Sequence, residues 1–259
     1  MNPWVRKSID LANRDDYLDK LHAVYPLRQP TFRTLDPKDI KAVARAFESK
    51  KPEELIRSLF QLDKFPYDDP YVSFLRNGPD AFLRNPKTVR RIGVWLSDFG
   101  LARVLALATQ PKRGSRGYGN AFRDWLMALP FTRVDDDGFR GAFPPREVVV
   151  HSGSQQEWKR FADSDLNCGL TKNPDLLVKK GRQYVVGEAK FISDFGGAQN
   201  NAFDEAISLV QKTHGSTKRV AILDGVVWLA TGNRICKEVR RQEFPVMSAL
   251  LLKPFLDSL

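Results

Sequence analysis

The chain has 259 residues, 42% hydrophobic and 28% charged, a balance that excludes a disordered or fibrous polypeptide and suits one large domain or two modest lobes. Lys and Arg number 41 against 31 Asp and Glu, and the resulting net charge of +10 attracts polyanions or an anionic membrane surface. No run approaches the roughly 18–20 uninterrupted apolar residues of a spanning helix. The opening stretch Met1 to Asp16 carries Arg6, Lys7, Asp10, Arg14, Asp15 and Asp16 where a signal peptide would be apolar. Cys168 and Cys236 lack paired spacing, and His22, His151 and His214 are scattered, which argues against a disulfide framework or a His/Cys metal site. No membrane association and a cytoplasmic location are expected.

Residues 1–145 read mainly as helices. Leu11, Tyr17, Leu18 and Leu21 suggest one helix over Lys7 to Val24. Asp36-Pro37 reads as an N-cap followed by proline at the first helical position, and Ile40, Val43, Ala44 and Phe47 form the apolar stripe behind it. Pro52 starts a helix over Glu53 to Leu62, with two glutamates where the dipole favours them. A single long helix is expected from Asn85-Pro86 toward Thr109, on the stripe Val89, Ile92, Leu96 and Phe99, although Gly93 and Gly100 interrupt it. A Gly-rich basic loop, Pro111 to Gly119, leads into a helix over Asn120 to Leu129.

After Phe143-Pro144-Pro145 the texture changes. Glu147 to Val150, Asp175 to Lys179, Gln183 to Phe191, Arg219 to Leu223 and Val226 to Ala230 read as strands, with a helix over about Asn201 to Thr213. The expected fold class is α/β (α+β), a mixed central sheet flanked by helices. The boundary near residue 145 would separate a helical region 1–145 from a second region 146–259, with both sharing one core as an alternative.

The chemistry concentrates between Asn173 and Lys190. Lys180-Gly181 separates two strand-like runs, a short-hairpin signal because glycine tolerates positive φ. Such a turn sets Asp175 opposite Val186 to Glu188, depending on register. Period-two alternation then puts Glu188 and Lys190 on one face with Asp175 across from them. Two carboxylates without a competing histidine or thiolate suit Mg²⁺, with Mn²⁺ as a substitute, and the backbone carbonyl of Ala189 adds an oxygen ligand without charge. The Lys190 ammonium is suited to position an attacking water and offset charge on phosphorus. A solvated salt-bridge face is the ordinary use of such residues, but here the strand around them is apolar (Val185, Val186, Ala189, Phe191).

Pro174-Asp175, twelve residues, then Glu188-Ala189-Lys190 resembles the PD-(D/E)xK nuclease superfamily, and within it type II restriction endonucleases. The likeness extends through Gly153-Ser154, Trp158, Phe161-Ala162, Val186 to Phe191 and Asp194 to Asn200, roughly residues 150–212. It implies that Asp175 and Glu188 bind the metal and that Lys190 assists the water. It also implies hydrolysis of double-stranded DNA to 5′-phosphate ends by a homodimer, with a cognate DNA methyltransferase in the same system but no physical complex. A structure-selective repair or recombination nuclease of the same superfamily, and a DNA-binding protein that does not cut, are the rival readings.

Between Arg84 and Asp124 nine basic residues face only Asp98 and Asp124. In the loop and just beyond it, Arg113, Arg116 and Asn120 are candidate DNA contacts. After the catalytic strand, Gly196-Gly197 allows close backbone approach, and Gln199, Asn200 and Asn201 offer amides suited to adenine edges. Asn200 or Asn201 serves equally as a helix N-cap. Glu147 and Glu157 are candidate extra acids for the metal, with a structural or exposed role as the favoured alternative.

Overall fold

The computed structural model describes residues 1–26, 32–67, 70–78, 80–110, 117–212 and 216–259. Polar caps and prolines open the first helices. The Asn2 side chain accepts the Trp4 N–H at the start of α1 (Pro3–Ala12), and α2 (Tyr17–Leu21) follows. The single helix expected over Lys7 to Val24 is thus two, because the polar run Asn13 to Asp16 breaks it, and Leu18 points to solvent. Asp36 caps α3 (Pro37–Glu48) as its sequence predicts, accepting the Lys38 N–H at 2.8 Å. Then come α4 (Pro52–Phe60), α5 (Pro70–Asn77), α6 (Ala81–Arg84), α7 (Pro86–Phe99) and α8 (Leu101–Thr109). The long helix expected to run to Thr109 is broken: α7 and α8 meet at 101°, with Gly100 at φ +77° between them. Gly93, by contrast, stays inside α7.

Next along the chain are α9 (Gly117–Ala128), β1 (Thr132–Val134), α10 (Asp136–Arg140), β2 (Val148–His151), α11 (Gln155–Ser164), β3 (Leu176–Lys180) and β4 (Gln183–Ile192). The chain finishes with α12 (Gly197–Gln211), β5 (Lys218–Gly225), α13 (Arg234–Arg240), β6 (Val246–Met247) and α14 (Leu252–Asp257). Val226–Trp228, expected as the start of a strand, is a 3-10 turn. Gly225 at φ +91° diverts the chain, and the Trp228 indole donates back to the Leu223 carbonyl at 2.8 Å. Val227 and Trp228 are fully buried in this turn instead of extending β5.

Two compact units result. Arg28–Gly114 form one, and Met1–Leu27 with Ser115–Leu259 form the other. The first is helical, around Leu55, Ile56, Leu59, Val89, Ile92, Leu96 and Val104. Here α4 and α7 cross closely: a Cβ at Gly93 would stand 2.7 Å from Pro52 Cα and 2.9 Å from its carbonyl oxygen. The second unit, which also takes in α1, α2, α9 and α10, contains a six-stranded mixed sheet in the order β1-β2-β3-β4-β5-β6. β1 and β2 are parallel, β2–β3 and β3–β4 antiparallel, and β4–β5–β6 parallel. α10 and α12 are the crossovers that the parallel pairs β1–β2 and β4–β5 require. Among the described residues no single helix is long and apolar enough to cross a membrane.

The β3–β4 hairpin carries the motif. Gly181, at φ +55°, and Arg182 make a two-residue turn between the paired Lys180 and Gln183. Pairing runs through Leu177↔Val186 to Leu176↔Gly187, and the Asp175 N–H extends it by donating to the Gly187 carbonyl at 2.9 Å. Near the turn, the buried Lys179 ammonium donates to the Phe139 and Gly141 carbonyls at the end of α10, at 3.0 and 2.6 Å. Lys180 donates to the Leu256 carbonyl in α14 at 2.8 Å. Both lysines act as C-terminal caps for helices that clamp the hairpin.

At the far end of β5 lies Asp224, with no exposed surface. Its Oδ1 accepts from Tyr17 Oη at 3.1 Å and Ser248 Oγ at 2.5 Å, and its Oδ2 accepts the Ala249 N–H at 3.0 Å. The Ser248 N–H donates to Ser8 Oγ at 3.0 Å, tying α1 to the sheet. Burial pushes the Asp224 carboxyl up to about 7, against the opposing pull of these donors.

Two stability measurements test this packing. Gly93→Ala should destabilise the protein by about 1–3 kcal/mol in urea titrations, because Pro52 backbone has no room to yield. An unchanged midpoint would refute the close crossing. The native state holds the Asp224 proton to higher pH than the unfolded chain, whose aspartates titrate near 3.9. Stability should therefore fall as pH rises from about 4 to about 7, by on the order of a few kcal/mol, and Asp224→Asn should flatten that slope. Equal slopes in the two proteins would contradict the assignment.

Candidate active site

The hairpin register sets Asp175 opposite Glu188, and both are buried, at 7% and 2% exposure. Each carboxylate has its own shell. Asp175 Oδ2 accepts the Ala189 N–H at 3.1 Å, while Oδ1 accepts Arg123 Nη1 at 2.8 Å and Gln155 Nε2 at 3.1 Å. Glu188 Oε1 meets Lys172 Nζ at 2.7 Å and Lys190 Nζ at 2.8 Å. Glu188 Oε2 is buried and, among the described residues, has no hydrogen-bond partner. Such an orphaned acceptor is costly unless a cation or donor completes it.

Four segments deliver these groups. α9 carries Arg123, whose second terminal nitrogen bonds Asn120 one turn earlier. α11 opens on a capping box, in which Ser154 and Glu157 satisfy each other's backbone donors, and this sets Gln155 at the first helical position. Glu157 is therefore engaged in the cap, and Glu147 accepts from Thr132 Oγ1 at 2.6 Å. The loop before β3 brings in Lys172. α12 adds Glu205, which binds Lys172 at 2.6 Å and lies 3.4 Å from Lys190.

The electrostatics follow from burial and neighbours. Burial, with the charge of Glu188 next, pushes the Asp175 carboxyl up to about 6, against the Ala189 N–H, Arg123 and Lys190. Burial opposes the charged form of Lys172, but its bonds to Glu188 and Glu205 outweigh it and raise the pKa. Glu205, bonded to Lys172, is held below the usual carboxylate range despite some burial.

The motif residues Asp175, Glu188, Ala189 and Lys190 thus come together, joined by Arg123, Gln155, Lys172 and Glu205, to which the spacing of the motif does not point. Asn120 lies in the first turn of α9, against Arg123. Arg113 and Arg116 lie outside the described residues. α12 starts four residues earlier than expected, with Gly196 at its N-cap, so neither Asn200 nor Asn201 caps it. Gln199 Oε1 accepts the Ser193 N–H at 3.3 Å, Asn200 Oδ1 is buried without a partner among the described residues, and Asn201 is exposed. The basic stretch divides: Arg84, Lys87, Arg90, Arg91 and Arg103 sit on α6, α7 and α8 of the helical unit, and Arg123 on α9 of the sheet unit. Among the described residues no three His, Cys, Asp or Glu side chains converge as a complete metal cage.

A buried acid pair with lysines at its rim, on a mixed sheet in a basic protein, has the makings of a nuclease centre. The family model described as Tsp45I type II restriction enzyme matches residues 2–259, nearly the whole chain. The chain belongs to that family: it is a site-specific deoxyribonuclease that cuts double-stranded DNA at a particular sequence. Type II restriction enzymes generally need divalent metal ions. No curated protein and no solved structure gives a significant match.

Carboxyl-selective NMR should find Asp175 titrating near pH 6 in the metal-free protein, and Glu188→Gln should lower that value by removing the neighbouring charge. A titration unmoved by Glu188→Gln would mean the two carboxyls do not sense each other.

Proposed function

We propose that Asp175, Glu188 and Lys190 are the catalytic centre of this restriction enzyme, on a fold of PD-(D/E)xK type, with Mg²⁺ as cofactor and Mn²⁺ as its substitute. The observation that carries this reading is the unpartnered, buried Oε2 of Glu188 beside Asp175. The donor set, two carboxylates with no imidazole or thiolate among their partners, suits a hard divalent cation. The Ala189 N–H points at Asp175, and in an extended strand the carbonyl of the same residue leaves by the same edge, so a backbone oxygen is available beside the acids.

A divalent ion held by Asp175, Glu188 and the Ala189 carbonyl would lower the pKa of a bound water and offset charge on the phosphodiester. The protein's own groups do the rest. Glu188 Oε1 and Glu205 fix the Lys190 ammonium at the rim, where it orients the attacking water and stabilises negative charge growing on the phosphoryl oxygens. Cleavage of the bond to the 3′-oxygen leaves 3′-hydroxyl and 5′-phosphate ends. Burial of the pair excludes bulk water and strengthens each of these interactions.

Arg113 and Arg116, which precede α9 in the sequence, and Asn120 within α9 are proposed as phosphate or base contacts, and Gln199, Asn200 and Asn201 as contacts from α12. The helical unit adds the exposed basic side chains Lys87, Arg90 and Arg91 of α7. A homodimer would place two such centres on the strands of a symmetric site. A cytoplasmic location, and a cognate DNA methyltransferase in the same system without a physical complex, complete the proposal.

Plasmid cleavage with Mg²⁺ should fall by about 100-fold or more in Asp175→Ala, Glu188→Ala and Lys190→Ala. Binding of the uncut plasmid in Ca²⁺ should persist in Lys190→Ala. Wild-type cleavage rates in these variants would remove the trio from the chemistry.

A further inference from the structure

The charges around the acid pair cancel. Asp175, Glu188 and Glu205 face Arg123, Lys172 and Lys190. A carboxylate offers about four lone-pair sites. On Asp175 three are filled, by Ala189, Gln155 and Arg123, whereas Glu188 keeps Oε2 open. A divalent cation entering here meets cations already in place, and one of them must give way.

The three are not equally anchored. Lys172 is held by two acids, Glu188 and Glu205, and Lys190 lies within 4 Å of the same two. Arg123 has one acid partner among the described residues, Asp175, and its other bond goes to the neutral Asn120 on its own helix. Its side chain is 23% exposed, so a path to solvent is open. Its planar fork matches a phosphate as well as a carboxylate. α9 also follows directly on the basic run Lys112-Arg113-Gly114-Ser115-Arg116 in the sequence.

We propose that Arg123 is a displaceable stand-in for the metal: it neutralises Asp175 in the DNA-free enzyme and transfers to a backbone phosphate of the substrate when the cation and DNA bind. The inference rests on Asp175 and Glu188 being the metal ligands. The ion pair guards the site in the absence of substrate, because cation binding must first break it. Bound DNA lowers that cost by giving the guanidinium another anion, so DNA and metal each tighten the binding of the other.

Mn²⁺ titration calorimetry of the DNA-free protein separates the possibilities. Arg123→Gln should tighten Mn²⁺ by about three- to tenfold, the scale of a partly exposed ion pair. Arg123→Lys, which keeps the charge, should change it less. On a duplex spanning a mapped cleavage point, in Ca²⁺, Arg123→Gln should lower the salt slope of binding by about one. Unchanged or weaker Mn²⁺ binding in Arg123→Gln overturns the stand-in role, and an unchanged salt slope overturns the transfer to phosphate. Asp175→Asn is the control: if it leaves wild-type Mn²⁺ binding intact, the ligand assignment itself fails. Weakened binding in Asp175→Asn with no change in Arg123→Gln defeats only the inference about Arg123.

Discussion

Two like charges buried side by side repel, and each also loses the solvation that water would give it. Asp175 and Glu188 are held in that condition by a two-residue turn and a hairpin register. The surrounding structure supplies what water no longer can: a backbone N–H, a carboxamide, a guanidinium and two ammonium groups. α9, α11, α12 and the loop before β3 each contribute a part of that shell. Moving any of these elements leaves a buried charge with fewer partners, so the geometry of the centre and the packing of the sheet unit depend on one another.

A second buried carboxyl shows the opposite solution. Asp224 is enclosed by hydroxyls and one backbone N–H, with no cation among its hydrogen-bond partners. Its burial is offset by neutral donors alone and pushes its carboxyl up to about 7, whereas Asp175 and Glu188 also draw on positive charge. The first arrangement fixes the N-terminal helices to the end of β5. The second retains an open oxygen, Glu188 Oε2.

The hairpin was legible because its signals are local. Alternating apolar residues, one glycine at the turn and the spacing from Asp175 to Glu188 all lie within sixteen residues. Arg123, Gln155 and Glu205 come from separate helices, and nothing in their own neighbourhoods marks them as parts of one site: Arg123 and Gln155 bond Asp175 from 52 and 20 residues away, and Glu205 binds Lys172 from 33. Lys172 lies three residues before Asp175, yet in the sequence it is one more lysine in a basic chain. Helix starts with a proline and a capping aspartate were readable, as at Asp36-Pro37. Breaks were harder: Gly93 and Gly100 look alike in sequence, but one permits close packing and the other a sharp bend. Val226 to Ala230 reads as a strand because β-branched and aromatic residues signal burial as strongly as extension.

The order of strands across the sheet is also their order along the chain. Neighbours in space are therefore neighbours in sequence, and the hairpin that carries Asp175 and Glu188 closes the shortest loop of all, at little entropic cost. The Ser8–Ser248 hydrogen bond joins residues 240 apart and closes nearly the whole chain. This topology favours assembly from the centre of the sheet outward, with the acid pair brought face to face early and the N-terminal helices sealing the far end late. The hairpin brings Lys190 with it on the strand of Glu188, whereas Arg123 and Lys172 reach the acid pair from outside the hairpin, so part of its charge compensation waits for α9 and the loop before β3 to pack.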